Sequence, residues 1–342
     1  MSSSTLKRRL RAMNLTRRNC HFDLDEAKAI VQSILDGPDS MQGYRGIWHQ
    51  LRLRGISVPR YIIEQLVREL DPEGVAARRA HRLHRRIYQN LGPNHSWHCD
   101  GYDKLKPYGF PIHGCIDGWS RKILWLHVTR SNNFPSNIAT YYLDAVDEFG
   151  GCPIQMITDL GTENGLMAGM QAYFRNDLSS HRYVSSPRNQ RIEGWWSFFR
   201  RNHSSWWMDF FKGLCDRGVL DLTSQLAKEC LWFCFSKLLQ KHLDDVKLNW
   251  NSHYIRRSRF QTVHGRPDVL FCLPESRNGA LNLLMPVPKD EKVYLRMQLT
   301  ENRGNNDHQE YFQYIADNAQ LQEPETWREA IALFEELMSV AQ

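Results

Sequence analysis

The sequence has eight cysteines but no two of them in a CxxC pair, and their spacing shows no disulfide rhythm. This excludes the small disulfide-rich secreted domains, and most of these thiols are expected to be reduced and often buried in an intracellular protein. Cys230 and Cys234 lie one helical turn apart, but their surroundings, LWFCFSKLL, are apolar and favour core packing over metal binding.

The sequence also lacks a long apolar run. No stretch approaches the roughly 18–20 apolar residues that a membrane-spanning helix needs. The first residues, MSSSTLKRRLRAMN, contain no hydrophobic segment of the kind that a secretory signal has. We therefore expect a nuclear or otherwise intracellular protein that is not secreted and does not bind membranes; composition alone leaves a mitochondrial address open.

The chain does have enough apolar sequence for a sizeable core, because 42% of its 342 residues are hydrophobic and 11 are tryptophans. This length predicts about two domains. The net charge is +6, and basic clusters such as LKRRLR and ARRAHRLHRR lie within residues 1–90. A positively charged N-terminal region suits a polyanionic partner such as nucleic acid.

Residues 1–90 are predicted to form a helical, basic, DNA-binding region. Its central segment reads as a helix over Tyr44–Leu53, a glycine-containing turn, and a second helix over Arg60–Leu70, which is typical of a helix-turn-helix. The second helix would offer four side chains to a DNA groove: Arg60, Tyr61, Gln65 and Arg68. The alternative is an ordinary helical hairpin. Residues 75–90 would continue as a basic helix that tracks phosphates or simply links two domains.

From residue 95 onward, strand-like runs alternate with helical ones, which predicts a mixed α/β domain around a central sheet over residues 91–250. Residues 251–342 read as an irregular C-terminal extension that ends in a helix, and the sequence assigns no role to it. No internal repeat is present.

Three acidic residues stand at the ends of predicted elements. Asp100 in WHCDGYD and Asp159 in ITDLGTEN close strand-like runs, and Glu193 in RNQRIEGWW opens a helix-like run. Ligands usually bind at the carboxyl ends of the strands of such a sheet. Mg²⁺ prefers oxygen ligands, and paired ions are the machinery of phosphodiester chemistry. The pattern therefore suggests a site for two divalent ions.

Each acid taken alone has a simpler interpretation, because an aspartate after a strand usually caps a turn. Asp117 in IDGWSR is expected to bond its own turn backbone, with help from Arg121. Asp103 and Glu163 compete for the metal-binding role with their neighbours Asp100 and Asp159.

Four motifs, WHCDGYDK, HGCIDGWSRKILWL, ITDLGTENG and SPRNQRIEGWW, occur in an order that resembles the core of the DDE integrase and transposase superfamily. The resemblance covers roughly residues 90–250 and implies an RNase H-like fold, with a five-stranded mixed sheet flanked by helices. It assigns Asp100, Asp159 and Glu193 as the acids that end the first strand, end the fourth strand and lie on a following helix. They would hold two Mg²⁺ or Mn²⁺ ions. The segment GYRGIWHQLRLRGISVPRYIIEQLVREL is similar to the helix-turn-helix that precedes such cores in insertion-sequence transposases.

The sequence departs from retroviral-type integrases, whose N-terminal zinc domain has paired histidines and paired cysteines. His81 and His84 are suitably spaced, but no CxxC pair follows them, so no structural zinc is predicted.

The resemblance implies a transposon-derived protein that binds DNA, cleaves phosphodiesters and transfers strands. The alternatives are a domesticated nucleic-acid-binding protein that keeps the fold without catalysis, and an RNase H-type nuclease acting on hybrids. Whether the chain is an enzyme stays open, and a homo-oligomer is expected because transposition joins two ends.

Further candidate DNA contacts are Lys104, Arg188, Arg191 and Arg200. Trp195, Trp196, Trp206 and Trp207 could stack on bases or pack in the core; adjacent tryptophans on a helix are not expected to face one core together.

Overall fold

A computed structural model describes residues 3–13, 22–80, 90–257, 263–277, 279–299 and 307–341. The chain divides into two compact units. The first contains residues 1–86 and 200–206, and the second contains residues 87–199 and 207–342. No helix among the described residues is long and apolar enough to span a bilayer.

The first unit is built from α-helices: α1 (Ser3–Ala12), α2 (Leu24–Leu35), α3 (Tyr44–Leu53), α4 (Arg60–Leu70) and α5 (Pro72–Ala80). The carboxylate of Asp23 caps α2, because it accepts hydrogen bonds from the amides of Asp25 and Glu26. Apolar side chains from α2, α3 and α4, among them Val31, Ile47 and Ile63, are fully buried against one another.

The turn between α3 and α4 is fixed by Gly55, whose φ of 78° lies in the left-handed region. The amide of Gly55 donates to the carbonyl of Arg52 (3.1 Å) and that of Ile56 to the carbonyl of Leu51 (2.8 Å), which ends α3 in a Schellman motif. Both helices have the bounds predicted from the sequence; that they read DNA stays a prediction. Most of the predicted basic helix, residues 81–89, lies outside the described residues, as do His81 and His84.

The second unit begins with the strands and helices that build the sheet layer: β1 (Ser96–Tyr102), β2 (Ile112–Asp117), β3 (Ile123–Val128), α6 (Pro135–Phe149), β4 (Gly151–Cys152), β5 (Gln155–Thr158), α7 (Gly165–Arg175), β6 (His181–Tyr183) and α8 (Gln190–Phe199). A π-helical turn, Arg200–Ser204, which belongs to the first unit, follows α8 in the chain. The remaining elements are α9 (Ser205–Asp216), α10 (Gln225–Ser252), α11 (Pro267–Cys272), β7 (Met285–Pro286), α12 (Lys289–Gln298), α13 (Asp307–Asn318) and α14 (Trp327–Ala341).

The main sheet has five strands in the order β3-β2-β1-β5-β6. β1, β2 and β3 pair antiparallel, whereas β5 runs parallel to both β1 and β6. This is the mixed five-stranded sheet flanked by helices that the RNase H-like resemblance implies, so the predicted fold class is confirmed. The short strands β4 and β7 form a separate antiparallel pair.

The expectation that residues 251–342 are irregular until a final helix is wrong. α11, α12 and α13 precede the final helix α14. Pro267 occupies the first turn of α11, and Pro288 is the N-cap of α12. Proline is tolerated at a helix start because the amide that it lacks has no intrahelical partner there, so these prolines begin helices and do not interrupt them.

Alternate residues of β1 face opposite sides of the sheet. Trp97 and Cys99 are buried in the core that α6 and α7 cover, where Trp97 makes edge contacts with Trp125 and Tyr142. Tyr102 instead packs on Trp196 of α8, with ring centroids 5.0 Å apart. Because Asp100 has the same parity as Tyr102, the fold presents it to the α8 side.

Candidate metal centre

The register between β1 and β5 places the first two acids side by side. Ser96 pairs with Gln155 and His98 with Ile157 in the parallel ladder. Two residues further along, the same register brings Asp159, directly after β5, beside Asp100. Neighbouring strands lie about 4.8 Å apart, and residues of equal parity share a face. Both carboxylates therefore lie at the carboxyl edge of the central strands.

Helix α8 carries the third acid, Glu193, in its first turn and packs against β1 and β2. Trp196 on the same helix donates its indole Nε1–H to Oδ2 of Asp100 over 3.1 Å. Gly114, which pairs with Asp100 in β2, makes room for this indole, because a Cβ there would lie 2.9 Å from the Cη2 atom of Trp196. This hydrogen bond thus joins α8, the helix that carries Glu193, directly to Asp100.

The negative charges of the other two acids act on Asp100. The pKa of Asp100 is raised from 3.8 to about 8 by burial first, and then by the negative charges of Glu193 and Asp159. The hydrogen bond from Trp196 lowers this pKa but does not offset burial and repulsion. A cation among these carboxylates would relieve the repulsion and favour the ionised form of Asp100.

Two further side chains form hydrogen bonds with Asp159 and Glu193. Asn164 donates through Nδ2 to Oδ1 of Asp159 (3.1 Å), and Ser186 donates its hydroxyl to Oε1 of Glu193. Among the described residues, the three carboxylates do not have oxygens that all lie within 4.8 Å of one another. An all-oxygen donor set fits Mg²⁺ or Mn²⁺.

The competing acids have other partners. Asp103 lies in the turn after β1, where it accepts from Nδ2 of Asn132 (2.9 Å) and pairs with Lys106 (3.2 Å). The carboxylate of Glu163 folds over Gly161 and accepts from Asn164 at 3.4 Å.

Asp117 is fully buried and caps the β2–β3 turn, as expected. One of its oxygens accepts from the amides of Trp119 and Ser120 and from the Ser120 hydroxyl, and the other accepts from the amide of Asn94. Arg121 takes a left-handed φ of 65° in this turn and donates to the carbonyl of Val263. Asp117 is therefore a structural residue.

Sequence reasoning missed Asn189, which is fully buried just before α8. Its side chain donates to the carbonyl of Cys99 (2.9 Å) and accepts from Nδ1 of His98 (2.8 Å). Burial lowers the pKa of His98 to about 4, so this ring is neutral at pH 7. The one sequence signal was a polar residue four positions before Glu193.

The predicted DNA-contacting residues divide between the two units. In the second unit, Lys104 and Arg188 are exposed and Arg191 is half-buried. The first unit contains Arg200, which is exposed, and the two residues of α4. Arg68 pairs with Glu64 (2.7 Å), and the exposed Arg60 guanidinium lies 6.0 Å from the centre of the Trp48 ring. Their contact with DNA stays a prediction.

The expectation that adjacent tryptophans do not share a core is wrong for one pair. Trp195 and Trp196 are both buried with ring centroids 4.9 Å apart, in one aromatic cluster where Trp195 contacts Trp250 of α10 and Trp196 packs on Tyr102 of β1 and beside Gly114 of β2. For the second pair the expectation agrees with burial, since Trp207 is buried and Trp206 half-buried.

Comparison with known proteins identifies the family to which the chain belongs. Residues 87–271 match the family model described as "Integrase core domain", which covers more than half of the chain. No curated protein matches the chain. A chain in the cryo-EM structure of the simian T-cell lymphotropic virus intasome in complex with PP2A regulatory subunit B56 gamma is similar at 15% sequence identity and a TM-score of 0.36, over 76% of this chain and 77% of that one.

Proposed function

Because the chain belongs to the integrase core domain family, we propose that it cleaves and joins DNA phosphodiester bonds with the help of divalent ions held by Asp100, Asp159 and Glu193. The observation that carries this proposal is the convergence of these acids from β1, the end of β5 and α8. The β1–β5 register and the Trp196–Asp100 hydrogen bond are the geometry on which this convergence rests.

When bound, two Mg²⁺ or Mn²⁺ ions would supply activation of the attacking oxygen and charge stabilisation of the leaving oxygen. The chain's own side chains prepare the acids for this role. Asn164 orients Asp159, Ser186 orients Glu193, and Trp196 orients Asp100. Ligands whose rotamers are held by neighbours lose little freedom when they bind, which favours a defined geometry at the reacting phosphate.

The proposal extends to DNA as the partner. Exposed Lys104 and Arg188 lie close in sequence to Asp100 and Glu193, and cations there would attract phosphate toward an acidic site. The α3–turn–α4 segment would read duplex DNA with Arg60 and Arg68, which favours DNA over a hybrid substrate. We also propose a nuclear or other intracellular location and a homo-oligomer, since joining two DNA ends requires two sites.

The test is metal-dependent cleavage by the purified full chain on duplex DNA with candidate ends. Wild type should cleave with Mg²⁺ or Mn²⁺, and Asp159→Asn should abolish cleavage while retaining DNA binding. Asp103→Asn, a change of the same kind at the exposed neighbouring acid, should cleave as wild type does. Equal cleavage by Asp159→Asn would refute the assignment. Tight DNA binding without cleavage of any substrate would instead identify a nucleic-acid-binding protein that has kept only the fold.

A further inference from the structure

The geometry points to Asn189 as a positioning residue that sets Glu193 against Asp100 and so determines how tightly the acids bind divalent ions. This inference rests on the proposed function, because it concerns the same three acids. Asn189 does not itself belong to the acidic set; it acts through the elements that carry two of its members.

The side chain of Asn189 is bound to the strand that carries Asp100. Its Nδ2 donates to the carbonyl of Cys99 (2.9 Å), the residue immediately before Asp100. Its Oδ1 accepts from Nδ1 of His98 (2.8 Å), one residue earlier. Both contacts are buried, where a lost hydrogen bond leaves an uncompensated polar group.

The backbone of the same residue is bound to the third acid. The carbonyl of Asn189 accepts from the amide of Glu193 over 3.2 Å and so begins the hydrogen-bonding of α8. Residues four apart lie on the same side of a helix, so Glu193 follows Asn189 along the side that faces β1. One residue therefore links the carbonyl of Cys99, next to Asp100 in β1, to the backbone amide of Glu193 in α8.

This link is directional. Because Nδ2 of Asn189 donates to a carbonyl, its Oδ1 must face His98, whose Nδ1 then carries the proton. The other ring nitrogen faces the Ser96 hydroxyl at 3.4 Å, and that hydroxyl accepts from Asn90 at 2.7 Å. Aspartate would lose the donor and glutamine would add a methylene, so neither preserves the spacing between β1 and α8.

A purely structural role is the competing explanation, and the chain offers a matched control for it. Asn251 of α10 is also buried, accepts from the amide of Ile123 (2.7 Å) and donates to its carbonyl (2.9 Å). Like Asn189 it joins a helix to a strand by donating to a backbone carbonyl and accepting one hydrogen bond, here from a backbone amide and not from an imidazole, and the strand is β3, which does not carry the acids. Asn189→Ala and Asn251→Ala should lose similar amounts of stability.

The experiment measures Mn²⁺ affinity on the folded full chain, by calorimetry and by the electron paramagnetic resonance signal of free Mn²⁺, alongside thermal unfolding. Changes that misplace metal ligands through their supporting residues typically weaken metal binding about 10–100-fold, and that loss is expected for Asn189→Ala. Asn251→Ala should bind Mn²⁺ as wild type does. If Asn189→Ala does not fold, the milder Asn189→Ser should show the same direction of change.

The outcomes separate this inference from the proposed function. Wild-type Mn²⁺ affinity in the Asn189 variant, with binding abolished by Asp159→Asn, would overturn the positioning role and leave the metal site in place. An equal loss of affinity in the Asn189 and Asn251 variants would also overturn it, because stability alone would then explain the effect. If wild type shows no Mn²⁺ binding that Asp159→Asn removes, both proposals fail.

Discussion

The indole of Trp196 donates to the carboxylate of Asp100 across 3.1 Å, joining α8 to the central strand β1. Glu193 lies three residues before this tryptophan in the first turn of the same helix. The contact therefore couples the placement of two acids that are far apart in sequence. It also gives Asp100 a hydrogen bond that partly offsets its burial beside two like charges.

Replacing Trp196 should weaken this coupling. Trp196→Phe keeps an aromatic ring but removes the N–H donor, and we expect a loss of about 1–2 kcal/mol in the free energy of unfolding. Trp195→Phe is the matched control, because the buried Nε1 of Trp195 has no hydrogen-bond partner among the described residues. Urea denaturation of the two variants should separate them, and equal losses would show that packing, not the hydrogen bond, dominates.

The stability of the metal-free protein should fall as the pH rises. The folded pKa of Asp100 is about 8, against an ordinary value of 3.8, so the folded state holds this proton more tightly than the unfolded state. The resulting stabilisation is fully present below the ordinary pKa and is lost as the pH rises through the folded pKa.

Asp100→Asn removes this titration, so the melting temperature of wild type relative to Asp100→Asn should decline between about pH 5 and pH 8 in the presence of a chelator, following the linkage between proton binding and stability. Added Mn²⁺ should raise the melting temperature of wild type most at the high end of that range and should have little effect on the variant. A pH-independent difference between the two proteins would contradict the assigned pKa.

Gly114 should not accept a side chain. A Cβ there would lie 2.9 Å from Trp196 and 3.2 Å from Leu126, so Gly114→Ala should cost about 1–3 kcal/mol of stability through overpacking. Gly169→Ala in α7 meets no atom within 4 Å and should stabilise by about 0.5–1 kcal/mol through helix propensity. Chemical denaturation measures both changes, and a neutral Gly114→Ala would show that the Trp196 ring is free to move.

Arg188 should contribute to DNA binding as a phosphate contact. Arg188→Ala should weaken binding similarly on all sequences and reduce the slope of log affinity against log salt by about 1. Arg296→Ala removes the same charge from a side chain that is paired with Asp144 and Asp147, and should leave the slope unchanged. Fluorescence anisotropy across a salt series provides the measurement. Identical slopes for wild type and Arg188→Ala would place DNA elsewhere.

Local signals in the sequence were sufficient for several elements. Helices α3 and α4 follow from their apolar periodicity and from Gly55 between them, and Asp159 follows from the apolar run that becomes β5. The signals were ambiguous where tertiary contacts decide the outcome. Pro267 and Pro288 lie in a region expected to be irregular but begin helices, and Trp195 and Trp196 are both buried because their rings, with centroids 4.9 Å apart, pack in one aromatic cluster.

The acids of the candidate site could be proposed from the sequence, but the side chains that hold them in place could not. Asp100, Asp159 and Glu193 each adjoin a recognisable strand or helix boundary. The side chain of Asn189, in contrast, reaches backbone and ring atoms about ninety positions away in the chain, a contact that no local pattern encodes. The hydrogen bonds from Trp196 and Ser186 likewise depend on how α8 approaches β1, which is a property of the packed sheet.

The parallel register of β1 and β5 has a consequence for how such a chain can change over generations. Insertions or deletions in the connections between the two strands leave this register unchanged. A single residue gained or lost within Gln155–Thr158 would instead turn Asp159 to the opposite face of the sheet. Length variation among relatives should therefore be common in the connections and absent from this four-residue strand.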